Sequence, residues 1–235
     1  MAQIVFSHGN SFPASTYRVL REDLEARGFQ VHAIEKLGHS PEYPVTSNWP
    51  HLVKELAEFA NQVMAQTGEK PYLVGHSLGG MLSLMCASQH PEVAAGVVLL
   101  DSPVVGGWKA SALQLAKKTN WIGNVSPGRI SKSRRQHWPN VEAVVEHFQH
   151  KRAFAHWHPE VLHDYALNGT QDDKGERVLS FDRDIETLIY NTLPHNLPSM
   201  LKRHPPKCLV AFIGGTHSRE MKVVGSEMTH SIAKG

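Results

Sequence analysis

The 235-residue chain predicts an α/β fold: a mostly parallel sheet flanked by helices, with a helical insertion. Three observations predict it. Short apolar runs recur at Ile4-Val5-Phe6, Phe29 to Ile34, Tyr72 to Val74 and Val97 to Leu100, each too short for a helix and apolar enough to be buried on both faces. Segments with helical spacing separate them, which is the alternation of a parallel sheet covered by helices. From Trp108 to His204 comparable runs give way to polar helical stretches, and strand character returns only at Cys208 to Ile213.

Each element has its own warrant. Leu20 and Leu24, followed by Arg27-Gly28, give the stripe and glycine stop of a first helix. Leu52, Leu56, Phe59, Ala60 and Val63 form a second stripe, ended by Thr67-Gly68. Met81, Leu84 and Met85 mark a third helix, closed by His90-Pro91. Pro205-Pro206 marks a return from the insertion, and Met221 to Thr229 reads as one helix. The expected organisation is a core of residues 1–107 and 205–235 around a helical cap of residues 108–204.

Composition excludes several classes. Hydrophobic residues make up 41% and charged residues 20%, which is globular rather than disordered. Twenty-four Lys and Arg against 22 Asp and Glu leave a formal charge of +2, too small a surplus to drive binding to nucleic acid. Cys86 and Cys208 are the only cysteines, so neither a disulfide framework nor a CxxC zinc or redox site is expected. The start lacks signal-peptide character, and no apolar run approaches ~18 residues. The expectation is a soluble, cytoplasmic protein with no membrane span.

The chemistry sits at Gly75-His76-Ser77-Leu78-Gly79-Gly80, between the Tyr72 strand and the helix starting near Met81. A serine on a sharp strand-to-helix turn needs small neighbours, which Gly75 and Gly79 supply. The turn exposes the Ser77 hydroxyl at the sheet's carboxyl edge, beside the first N–H groups of the next helix.

These motifs resemble the α/β-hydrolase superfamily, in particular small cap-bearing bacterial serine esterases. Gly75 to Gly80 resembles the nucleophile elbow, His8-Gly9-Asn10 the oxyanion loop, and Gly38-His39-Ser40 the loop after the second strand. The resemblance implies that Ser77 is the nucleophile and that the backbone N–H groups of Leu78 and Asn10 form the oxyanion hole. Many members place the catalytic acid after the penultimate strand, where this chain has Ser218. Asp101, which closes the Val97 to Leu100 strand in Asp101-Ser102-Pro103, is the expected replacement. The base is a histidine after the last strand in the family, and neither that strand nor a Gly-His turn follows Ile213 here. The base is therefore unassigned, with His217 and His230 as candidates; the pattern reads as an α/β-hydrolase core lacking its last strand and helix, either as a fragment or by loss.

The expected function is hydrolysis of a small-molecule carboxylic ester or thioester through an acyl-enzyme at Ser77, with no metal or organic cofactor. The alternatives are a non-catalytic hydrolase-like binding protein without a base, and a cofactor-free carbon–carbon bond hydrolase. His147, His150, His156, His158 and His163 read as cap-packing or solvent-facing side chains rather than metal ligands. Lys132, Arg134 and Arg135 with Trp138 read as a solvated cap face. Trp108, Trp121, Trp138 and Trp157 are candidates for lining an apolar acyl pocket, with ordinary packing as the equal alternative.

Overall fold

Five parallel strands lie in the order β2-β1-β3-β4-β8: β1 Gln3–Ser7, β2 Gln30–Ala33, β3 Tyr72–His76, β4 Gly96–Leu100 and β8 Leu209–Ile213. The computed structural model describes residues 1–104, 131–132, 134–225 and 227–233. Successive side chains of a strand point to opposite faces, and both faces are covered. Ile4, Phe6 and Val74 turn toward Leu20 and Leu24 of α1 (Arg18–Ala26). Val5, Leu73, Val97 and Leu99 join the larger core with α2 (Pro50–Thr67) and α3 (Leu78–Gln89). Because every strand is parallel, all carboxyl ends meet at one edge, with Ser77 and Asp101 immediately beyond β3 and β4.

Local signals explain the helix ends. Pro50 sits in the first turn of α2, where its missing N–H costs nothing. Gly68 ends α2 at φ 75° and donates its N–H to the Met64 carbonyl. Ten of the twelve residues of α3 are buried, so it shows no polar face.

The helical insertion is present, between β4 and β8. Its described elements are β5 His137–Trp138, α4 Val141–Gln149, α5 Pro159–Asn168, β6 Thr170–Asp173, β7 Glu176–Leu179, α6 Arg183–Asn191 and α7 Leu197–Arg203. It also carries a three-stranded antiparallel sheet, β5-β7-β6, which the sequence reading lacks because Thr-Gln-Asp-Asp and Glu-Arg-Val-Leu present no apolar alternation. The turn residues Lys174 and Gly175 both have positive φ (54° and 86°), the two-residue hairpin geometry that follows the twist of its strands. At the C-terminal end, Gly225 at φ 84° separates α8 (Arg219–Val224) from α9 (Glu227–Ile232), where the sequence reading has a single helix.

The loop after β2 is held by a buried acid. Gly38 has φ 81°, and a Cβ there would lie 2.9 Å from Val45 Cγ2. Its N–H donates to Glu55 Oε2 at 3.2 Å. Glu55, on α2, is only 7% exposed. Burial pushes its carboxyl up to about 7, and the Gly38 N–H opposes this only in part.

A raised carboxyl pKa means that the folded state holds its proton where the unfolded chain has released it. Stability contributed by this group therefore falls as pH rises from about 4.5 to 7 and is level above that. Glu55→Gln keeps an acceptor for Gly38. It should leave stability unchanged below pH 4.5 and raise it by on the order of 1–3 kcal/mol above pH 7. Urea denaturation of both proteins from pH 4 to 8 measures this difference; a constant offset would contradict it.

Candidate active site

Ser77 adopts φ 51° and ψ −112°, a conformation that costs a non-glycine residue roughly 1–3 kcal/mol. Its surroundings hold it there. Its N–H donates to the Leu100 carbonyl at 3.1 Å, and its own carbonyl accepts from Ser102 Oγ at 2.6 Å and from the Gly80 and Met81 N–H groups. The glycines are required by close backbone approach. A Cβ on Gly75 would lie 2.2 Å from the Gly79 carbonyl carbon, and one on Gly79 would lie 1.9 Å from the Ser7 oxygen. A Cβ on Gly80 would lie 2.5 Å from Ser102 Cβ.

The loop after β1 is clamped from the core side. The Gly9 carbonyl faces His8 Nδ1 at 2.8 Å and the Phe12 N–H at 3.1 Å. His8 Nε2 accepts the Leu37 N–H at 2.8 Å, so the proton of the neutral ring is on Nδ1 and is donated to Gly9. Burial pushes the imidazole down to about 4, which keeps it in this neutral form. The peptide bond is trans, so clamping the Gly9 C=O directs the Asn10 N–H the opposite way. Tyr17 completes the clamp: its hydroxyl oxygen accepts the Gly9 N–H at 3.0 Å and is 2.7 Å from His76 Nδ1. Burial raises the phenol pKa, so it stays protonated.

The insertion clamps the same loop from the other side. Asn10 Nδ2 donates to the Glu186 carbonyl at 3.1 Å, while Asn10 Oδ1 is buried with no hydrogen-bond partner among the described residues. Arg134 donates to Ser11 Oγ, to Glu186 Oε2 at 2.7 Å and to the Tyr165 hydroxyl at 2.7 Å. Arg134 and Glu186 side chains are 15% and 6% exposed. Burial opposes the Arg134 charge, but Tyr165 and Glu186 more than offset it and hold its pKa above the ordinary value. This corrects the solvated-face reading at Arg134, whereas Lys132 and Arg135 are exposed as expected. The neighbouring Arg135 guanidinium lies 5.6 Å from the Trp138 ring centroid.

A cavity of about 180 Å³ collects Asn10, Phe12, His76, Ser77, Asp101 and Tyr190. Leu78 starts α3, so its N–H has no intrahelical partner. Asp101 has φ 44°; its N–H donates to the Ile213 carbonyl at 2.7 Å, and its Oδ1 accepts the Gly215 N–H at 3.0 Å. The structure thus brings Asn10, Ser77 and Asp101 to one cavity. The base candidates are not among its lining residues: His217 is exposed two residues beyond Gly215, and His230 on α9 lies edge-on to Phe212 at 6.3 Å. Ser218 caps α8 through the Met221 N–H.

Other sequence candidates resolve as packing. Trp138 lies in the insertion's own core with Phe148 and Tyr165, not on an acyl pocket. His147 stacks edge-on to Trp138 and Phe148, and His150, His156, His158 and His163 are exposed. Trp108 and Trp121 lie outside the described residues. Among the described residues no group of three or more His, Cys, Asp or Glu is placed to hold a metal, and no helix is long and apolar enough to cross a membrane. Tyr17, Tyr190, Arg134 and Glu186 were not legible as site residues, because their partners lie far away in sequence.

A parallel sheet with an insertion after β4, and a strained serine on the strand-to-helix turn at its carboxyl edge, define the α/β-hydrolase class. The chain belongs to the alpha/beta hydrolase family, whose model matches residues 4–224. It is 33% identical over 140 residues to a monoglyceride lipase of Rattus norvegicus, covering 56% of this chain and 46% of that protein. The chain spans less than half the length of several curated relatives it matches. Among solved structures, E-2-(acetamidomethylene)succinate hydrolase superposes with TM-score 0.67 at 20% identity, covering 90% of this chain and 72% of that one. The thioesterase domain from the curacin biosynthetic pathway superposes with TM-score 0.65 at 20% identity, covering 99% and 82%. These last two likenesses establish the fold.

The Arg134–Glu186 pair generates a stability test. Arg134→Met leaves Glu186 as an uncompensated buried charge and should cost ~3–5 kcal/mol. Combining it with Glu186→Leu should restore much of that loss. Chemical denaturation of the single and double variants reads the coupling; additive losses would show that the two side chains act independently.

Proposed function

We propose that this chain carries the catalytic core of a serine hydrolase acting on carboxylic esters or thioesters. The observation that carries the reading is the strained Ser77 opening on a cavity that Asn10 and Asp101 also line. Ser77 Oγ attacks the acyl carbon while an imidazole takes its proton. The negative charge on the former carbonyl oxygen is held by the Asn10 and Leu78 N–H groups, whose directions are set before substrate arrives. As the tetrahedral adduct collapses, the bond to the alkoxide or thiolate breaks and that group receives the proton. Water then releases the acyl group by the same route in reverse, and no metal or organic cofactor enters these steps.

Asp101 orients the imidazole in this scheme. One of its oxygens holds the Gly215 N–H, and the other is left for the ring. His217, two residues beyond Gly215, and His230 are the candidate bases. One observation favours the second reading, a binding protein without turnover: the histidine in the cavity wall, His76, is hydrogen-bonded to Tyr17.

A fluorophosphonate probe should label the protein at Ser77, and Ser77→Ala should abolish the labelling. Asp101→Asn should lower turnover of p-nitrophenyl butyrate by up to ~10⁴, whereas Ser218→Ala should have little effect. His217→Ala and His230→Ala identify the base as whichever reproduces the loss. Absence of both labelling and Ser77-dependent turnover would leave the binding-protein reading.

A further inference from the structure

Beside the Ser77 cavity lies a larger one, about 450 Å³, between the N-terminal part of α1 and the first turn of α5. Its walls include Phe12, Val19, Leu20, Trp157 and Val161. Phe12 and His76 line both cavities, so the larger groove begins where the Ser77 cavity ends.

The polar side chains of this groove have partners within the protein. Thr16 Oγ1 donates to the Pro13 carbonyl at 2.7 Å, the Tyr17 hydroxyl is engaged by Gly9 and His76, and Asp23 is paired with Arg27 at 2.9 Å. Among the described residues neither Lys nor Arg lines the groove, so an anionic group would find no counter-charge in this part of the wall. A chain of methylenes gives up no hydrogen bond on entry and removes apolar surface from water. Phe12 and Trp157, with ring centroids 5.8 Å apart and planes tilted by 36°, form an adjoining aromatic wall against which an unbranched chain can lie.

We propose that this groove binds the unbranched, uncharged aliphatic arm of the ester or thioester whose carbonyl is presented to Ser77. The proposal rests on the hydrolase reading above and deepens it by naming a substrate class, esters of medium-length aliphatic chains. The arm belongs to the acyl group or to the alcohol, and the two sources are separable by experiment.

The test uses the full chain. Hydrolysis of p-nitrophenyl acetate, butyrate, octanoate and decanoate varies the acyl arm; methyl, butyl and octyl acetates vary the alcohol. The series whose kcat/KM rises with length identifies the arm in the groove. Val161→Trp fills the groove and should lower the ratio of long-chain to short-chain kcat/KM at least tenfold. Val161→Ala, which removes bulk, should move the optimum to longer chains.

Binding is read independently of turnover. In Ser77→Ala, methyl 12-bromododecanoate should quench tryptophan fluorescence, and Trp157→Phe should remove most of that quenching. Quenching at Trp157 without hydrolysis of any ester would uphold the groove and overturn the hydrolase reading. Ser77-dependent hydrolysis with no chain-length preference, no response to either Val161 variant and no quenching at Trp157 would overturn the groove and leave the hydrolase reading intact.

Discussion

The approach of α3 to β1 at Gly79, where a Cβ would fall 1.9 Å from the Ser7 oxygen, constrains everything around it. Contact this close lets the helix start directly under the strand-to-helix turn, and that turn forces Ser77 to positive φ. The strain at Ser77 is held by three hydrogen bonds to its carbonyl and one from its N–H. Two of these partners, Leu100 and Ser102, belong to β4 and the turn beyond it. The serine is therefore positioned by the sheet as a whole, and the same backbone that strains it delivers Asp101 to the neighbouring strand end.

The second feature is the double clamp on residues 9–12. On the core side, His8 and Tyr17 fix both peptides flanking Gly9; on the insertion side, Glu186 and Arg134 hold Asn10 and Ser11. The insertion is thus a structural part of the cavity as well as a cover for it. A related pairing holds the loop after β2, where consecutive N–H groups, Leu37 and Gly38, are taken by His8 and Glu55. Both acceptors are buried and both are displaced from their ordinary titration, in ways that keep each uncharged across a wider range of pH.

The parallel core was legible because its central strands β1, β3 and β4 are largely buried and so appear as short apolar runs. Ser77 was legible because the steric rule that governs it is local: Gly75, Gly79 and Gly80 are adjacent in sequence. The β6–β7 hairpin was not, since its strands are polar and the informative signal is only the turn pair Lys174-Gly175. Arg134 was misread as solvated because its burial is decided by Glu186, 52 residues away. The base remains unassigned for a similar reason. The chain has sixteen histidines, and spacing along the sequence singles out none of them.

The clamp also bears on the order in which the chain folds. Asn10 meets Glu186 across 176 residues, and Ser11 meets Arg134 across 123. Contacts that close such long loops carry a large entropic cost and form late. The β1–α3 region, by contrast, assembles from segments within the first hundred residues. A nascent chain can therefore form strands β1 to β4 and the serine turn well before the Asn10 and Ser11 side chains find their partners in the insertion. Until the insertion docks, residues 9–12 are held from the core side alone, by His8 and Tyr17.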